Sequence, residues 1–243
     1  MKVAVSSSPF GALLAGGQTT QLEWLERCAS ELALDGVVFS REHFPRTDGE
    51  YIAQLRKIAV DLGLVPVALD DPGLFDAERS AEERLATIEI AAGLGTLFVL
   101  ATLPAPGDVP PATFVAAVSQ AKAVARAAKA VNVTVLLEPH AGTIAPAAAD
   151  VRHFLKDVDS AWLRYALDAA DPRTGLGARD RVLLVRIADG DEAVAADAAE
   201  DARPWLLLDA ADPGDPFGSL RTRIARVRAT AAKKALAGAS AFR

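Results

Sequence analysis

Eight short apolar runs recur along the chain, separated by longer stretches, and this alternation restricts the fold more than any other feature. The runs are Val3–Ser6, Gly36–Ser40, Val65–Leu69, Leu97–Ala101, Val133–Glu138, Leu163–Asp168, Arg181–Arg186 and Trp205–Asp209. They are near-continuous in apolar character rather than alternating. That is expected of strands covered on both faces in a parallel sheet. Between them lie helical patterns. The first has Leu22, Leu25 and Leu32 on one face, Thr19 or Thr20 at its N-cap, and Glu23 spaced for a capping box with Thr20. The second, about 48–62, turns Ile52, Leu55 and Ile58 inward and ends at Gly63. A third holds Leu85, Ile88 and Ala92 and stops at Gly93. Others are expected over about 112–131, from near Ala147, and over about 217–237 with Leu220, Ile224 and Val227 inward.

Eight β-α units in 243 residues predict an α/β protein with a single (β/α)8 TIM barrel over residues 1–243. The segments after the sixth and seventh strands are short, so short or irregular helices are expected there. A doubly wound open sheet is the competing architecture. Its commonest cue is a phosphate-binding turn after the first strand, and Gly11, Gly16 and Gly17 do not have the GxGxxG spacing.

Charge and apolar content then narrow the partners. The formal charge is −6 and no basic cluster occurs, which argues against nucleic acid. No stretch approaches the roughly 18 apolar residues of a membrane span. Ser6-Ser7-Ser8-Pro9 breaks the first apolar run before a signal-peptide core forms, so a cytoplasmic protein with no membrane partner is expected. The lone Cys28 lies in a helical pattern and reads as a small core residue. The oligomeric state stays open, a homodimer being one option.

The loops are asymmetric. Connections into strands are tight, as at Leu34-Asp35 and Gly63-Leu64. Connections leaving strands are long: Ser7–Gln18, Thr102–Pro111, Ala169–Arg179 and Ala210–Gly218. Barrel active sites are built from loops of the second kind. The strand ends on that side are acidic: Glu138, Asp168 and Asp209 each follow at least three apolar residues, a run that Tyr165-Ala166-Leu167 supplies before Asp168. Carboxylates converging on one mouth repel, so a divalent cation, a cationic side chain or protonation must offset them. His43 and His140 lie near the same ends and are candidate substrate-binding residues, while His153 reads as a surface or packing residue. Phe10 and Phe44 are candidates for stacking on a substrate. Trp162 and Trp205 are expected to plug the barrel bottom, and Trp24 to pack on the exterior or an interface.

Several of these stretches resemble a known family. The segment 34–45 with 61–69, Leu136-Leu137-Glu138-Pro139-His140-Ala141-Gly142-Thr143, and Ser160 through Asp168 look like the sugar phosphate isomerases/epimerases of the xylose isomerase-like TIM-barrel superfamily. The resemblance implies a sugar or sugar phosphate isomerase or epimerase, acting on a small-molecule sugar or sugar acid by carboxylate-mediated proton transfer α to a carbonyl. It implies a divalent metal (Mn, Mg, Co or Zn) on Glu138, Asp168 and Asp209, with Glu138 and Asp209 as the acid/base pair. The sequence departs from the family's pattern twice. Where the fourth ligand is a His on strand seven this chain has Arg186, and on strand eight Asp209 stands for a Glu. An arginine stays protonated and is no ordinary metal ligand. Three readings follow: a metal site with Arg186 on the substrate, a metal-free site for an anionic sugar or sugar acid in which Arg186 takes over the cation's charge-balancing role, and a catalytically inactive binding or scaffold barrel. Two relatives in the superfamily also bear on function. The endonuclease IV-like enzymes need a His-rich zinc cluster, which three His poorly supply, whereas dehydratases of cyclic polyols share the barrel and stay open.

Overall fold

The computed structural model of the chain describes residues 2–108, 110–168, 183–187, 205–209 and 212–241. The strands are β1 (Lys2–Ser6), β2 (Gly36–Ser40), β3 (Val65–Asp70), β4 (Phe98–Ala101), β5 (Thr134–Leu137), β6 (Leu163–Tyr165), β7 (Leu167–Asp168), β8 (Leu184–Ile187) and β9 (Trp205–Leu208). Every pairing between them is parallel. Their order is β6-β5-β4-β3-β2-β1-β9-β8-β7. The two ends of that order are separated in sequence by Ala166 alone, so β6 and β7 are halves of one interrupted strand. The first half pairs with β5 and the second with β8. The Ala166 N–H still donates to the Leu137 carbonyl at 2.9 Å. The sheet therefore closes into an eight-stranded α/β barrel, as the alternation predicts.

Alternation along each strand sorts the core into two layers. Ala4, Val38, Ala68, Leu100, Leu136, Leu184 and Leu207 pack with Phe98 and Trp205 in one cluster, the barrel interior. Their neighbours Val5, Val37, Leu69, Val99, Leu137, Val185 and Leu208 pack against the helices. Trp205 is buried at the bottom of the interior, as expected, with the Lys2 ammonium 5.1 Å from its ring centre. Trp162 does not join it. It is half-buried and lines a surface groove with Lys122, Arg126 and Lys129.

The helices are α1 (Gly11–Ala15), α2 (Gln21–Leu32), α3 (Gly49–Asp61), α4 (Ala81–Leu94), α5 (Pro110–Ala130), α6 (Ala148–Val158) and α7 (Pro216–Ala241). Those expected after the sixth and seventh strands lie outside the described residues. At the start of α2 the capping box forms as read: Glu23 N–H donates to Thr20 Oγ1 at 3.2 Å and Thr20 N–H to Glu23 Oε2 at 2.8 Å. Such a cap contributes about 1 kcal/mol. The third expected helix differs. α4 continues through Gly93 and stops at Gly95, whose φ of 72° is left-handed. Gly93 remains because a Cβ there would lie 2.9 Å from Ile52 Cγ2 on α3, so it sets close helix contact rather than a terminus. Leu85 is 41% exposed, and the buried face runs through Arg84, Thr87, Ile88 and Ala91 instead.

Two loop aromatics turn out to be core. Phe10 and Phe44 are buried, Phe10 against Trp24 and Phe217, Phe44 against Phe39. Apolar rings placed under the mouth-side loops gain more from burial than from waiting in water for a ligand. Trp24 packs on the barrel exterior, as expected, fully buried between α2 and the outer face of β2 against Phe39. Cys28 is buried, and burial pushes its thiol pKa up, which fits a core residue. Pro66 sits where the β2–β3 register slips between Val37 and Val38, so its missing N–H falls at a bulge.

Gly36 opens β2 at a tight crossing. A Cβ there would meet Val65 O at 2.6 Å, Val67 Cγ2 at 2.6 Å and Trp205 Cζ3 at 3.0 Å. Gly36→Ala is expected to destabilise the barrel by about 1–3 kcal/mol. The readout is a lower urea midpoint at unchanged m-value, and an unaltered midpoint would contradict this packing.

Candidate active site at the barrel mouth

Inward parity continues past the apolar layer and delivers polar side chains to the C-terminal end of the barrel. Ser6, Ser40 and Asp70 close β1, β2 and β3, Glu138 follows β5, and Asp209 follows β9. Arg186, in the middle of β8, shares the inward face of Leu184 and pairs in register with Leu207, one inward step below Asp209. Its long side chain bridges that step.

The guanidinium of Arg186 ties three carboxylates together. Nε donates to Glu138 Oε1 at 2.9 Å and Nη2 to Glu138 Oε2 at 2.9 Å, a two-pronged pair. Nη1 donates to Asp209 Oδ2. Nη2 also reaches Asp70 Oδ2 at 3.4 Å. These contacts use four of the five N–H groups an arginine carries. The side chains are largely withdrawn from water: Arg186 is 20% exposed, Glu138 11% and Asp209 24%. Burial alone would weaken the charge on Arg186, but Glu138 and Asp70 outweigh it and hold the guanidinium protonated. Asp209 Oδ1 is buried and has no hydrogen-bond partner among the described residues.

Asp70 was not singled out by the sequence, although the signal was there. Val67-Ala68-Leu69-Asp70 is the same pattern of apolar residues followed by an acid that marks Glu138 and Asp209. Its carboxyl is pushed up to about 6, first by burial and then by the charges of Glu138 and Asp71, against the opposing pull of Arg186. Its neighbour Asp71 faces the other way. It accepts from Arg79 Nη1 at 2.6 Å and from Thr87 at 2.7 Å, and so anchors the loop into α4.

The remaining candidates fall elsewhere. Asp168 closes β7 beside Arg186 in the register; its side chain lies outside the described residues. His140 is exposed, in a turn whose carbonyl accepts from Thr143. His43 is half-buried at the rim. Its Nδ1 is 3.0 Å from Ser7 Oγ, and Gly11 lies so close that a Cβ would come within 2.9 Å of Nε2. Burial lowers its pKa. It lines a cavity of about 500 Å³ with Gln21, Phe44 and Tyr51, apart from the Arg186 cluster. Ser7 also accepts from Ser40 N–H at 2.9 Å, and Ser40 Oγ meets Ser8 Oγ at 2.7 Å, so hydroxyls line the β1–β2 side of the mouth.

The divalent ion that the family resemblance implies does not fit these side chains as they stand. Its carboxylate donors Glu138 and Asp209 are already bound to a permanent cation. Among the described residues no group of three or more His, Cys, Asp or Glu is placed to hold a metal. A dication about 4 Å from the guanidinium would meet a repulsion of about 8 kcal/mol at an effective dielectric near 20. The two departures from the family's pattern, Arg186 and Asp209, are the two ends of one ion pair.

Asp70 gives this site a pH signature. An acid whose pKa is higher folded than unfolded holds its proton more tightly in the folded state. Its stabilising contribution is therefore present below about pH 4 and lost as pH rises towards its folded value of about 6. Asp70→Asn is expected to remove that decline. Urea midpoints measured for both proteins across this range check it, and parallel profiles would contradict the placement of Asp70.

A family model described as "Xylose isomerase-like TIM barrel" matches residues 27–200. Among curated protein sequences no significant match was found. Solved structures similar in fold include D-psicose 3-epimerase in the presence of D-fructose, at 14% identity and TM-score 0.72, covering 95% of this chain and 99% of that one. L-ribulose 3-epimerase is similar at 19% identity and TM-score 0.70, covering 97% of each chain. The probable 3-DHS dehydratase from Bacillus anthracis is similar at 13% identity and TM-score 0.72, covering 92% of this chain and 97% of that one. The described helices include none long and apolar enough to cross a membrane. With its closed parallel barrel and a model match over most of its length, this chain belongs to the xylose isomerase-like TIM-barrel family.

Proposed function

We propose that this protein is an isomerase or epimerase of a small sugar, moving a proton α to a carbonyl at the mouth of the barrel. One observation carries the reading: Glu138 and Asp209 converge on the guanidinium of Arg186 where the strands end. Family membership supports it, as do fold neighbours named as sugar epimerases.

Asp209 is the group assigned to the first proton transfer, because its Oδ1 is the one oxygen of the pair not engaged by Arg186. The substrate C–H bond breaks, its proton passes to Asp209, and the electron pair moves into an enediolate. The fifth N–H of Arg186, which no described residue accepts from, is assigned to the developing oxyanion, where a fixed donor in a dehydrated site stabilises charge. Return of the proton by Asp209 to the neighbouring carbon, with the hydroxyl proton passing from one enediolate oxygen to the other, gives isomerisation. In epimerisation Glu138 first takes a proton from solvent and delivers it to the opposite face of the enediolate, and Asp209 releases the abstracted proton to solvent. His43 and His140 are kept as candidate substrate contacts at the rim.

A second reading is a barrel that binds a sugar without converting it. It is favoured by the engagement of both Glu138 oxygens, which leaves that carboxylate no free lone pair facing a ligand along the guanidinium plane. Solvent exchange separates the two. Ketoses and aldoses incubated in D2O and followed by proton NMR are expected to lose an α-hydrogen signal. Asp209→Asn and Glu138→Gln are each expected to slow that loss by about 100-fold or more. Saturable binding with no exchange across the panel would replace the isomerase reading with the binding one.

A further inference from the structure

We propose that Arg186 is the resident cation of this site and that the protein needs no divalent metal. The geometry carries this directly. Glu138 presents both oxygens to Nε and Nη2 at 2.9 Å, and Asp209 and Asp70 complete the shell around the same planar group. Three carboxylates around a small volume otherwise call for a multivalent ion, and here the chain supplies the charge itself. The group is fixed by its position on β8, between the Asp168 and Leu207 register partners, rather than reaching in from a mobile surface position.

A guanidinium and a metal ion do different work. A metal would supply Lewis acidity to substrate oxygens, whereas Arg186 has one N–H that no described residue accepts from. The substrate is therefore held chiefly by hydrogen bonds. The carboxylates and the Ser6, Ser8 and Ser40 hydroxyls are suited to the hydroxyls of a neutral sugar. The three carboxylates exceed the single positive charge of Arg186, so a phosphorylated or acidic sugar is disfavoured at this position.

The role in a reaction rests on the proposed function, but the occupancy of the site does not. The test accordingly begins without substrate. Wild-type protein incubated with Mn2+ or Zn2+, dialysed and analysed for metal is expected to retain none above a control protein. Arg186→His, which removes the charge and offers a ligand, is expected to retain roughly one ion per chain, lost again in Arg186→His with Glu138→Gln. Stoichiometric metal in the wild type that Glu138→Gln abolishes would overturn the proposal. So would a folded Arg186→His that takes up no ion, since Arg186 would then not stand where an ion fits. If Arg186→His fails to fold, the wild-type measurement decides alone. Wherever the D2O assay shows exchange, its rate in the wild type is expected to be unchanged by EDTA, and loss of exchange on chelation would also overturn it. Absence of exchange with every sugar counts against the sugar isomerase reading only.

Discussion

A guanidinium with four of its five N–H groups spent joins the ends of the neighbouring strands β8 and β9 to those of β5 and β3, which are not their neighbours in the barrel. Arg186 comes from β8, Glu138 follows β5, Asp209 follows β9, and Asp70 closes β3. Each carboxylate alone would repel the others in a partly dehydrated mouth. Each becomes tolerable because one cation lies at hydrogen-bond distance of all three. Removing the arginine would leave buried acids uncompensated, a loss of about 3–5 kcal/mol in comparable cases. The fork of Arg suits this role where the point charge of Lys does not, because only the planar group grips Glu138 with two bonds and still reaches Asp209.

The barrel makes that meeting inevitable through parity. Side chains two apart on a strand share a face, so Leu136 places Glu138, Ala68 places Asp70, and Leu207 places Asp209. Apolar residues fill the interior below and exclude water from underneath. The polar ring above is therefore the first place where the interior meets solvent. The tilt of the interior towards apolar packing also explains the pKa of Asp70, which is governed first by burial. Function and stability share the same side chains here, since the carboxylates that would handle protons are the ones the fold must keep neutralised.

Much of this was legible in the sequence. Continuous apolar runs gave the parallel sheet, and the strand-end acids pointed to the mouth. The Thr20–Glu23 box and the Gly63 turn were read from local chemistry that acts within a few residues. What escaped depended on distant partners. Gly93 looked like a terminus but answers to Ile52 on another helix. Phe10 and Phe44 looked like loop residues available to a ligand but fill space against Trp24, Phe217 and Phe39. Arg186 was visibly out of place for a metal ligand, yet only three dimensions show that Asp209 is its partner. Asp70 lies one residue past the apolar run that ends at Leu69, and only the pairing of Ser40 with Asp70 in the sheet extends β3 to include it. His43 shows the converse limit: its closeness in sequence to a strand end did not bring it into the Arg186 cluster, because Ser7 and Gly11 hold its ring at the rim.

The central claim is that the positive charge among these carboxylates belongs to Arg186. Crystals grown in Mn2+ and measured at a wavelength where manganese scatters anomalously test it most directly. The account predicts no anomalous peak between Glu138 and Asp209, with guanidinium density in contact with both. A peak there, with Arg186 turned out of the cluster, would contradict it.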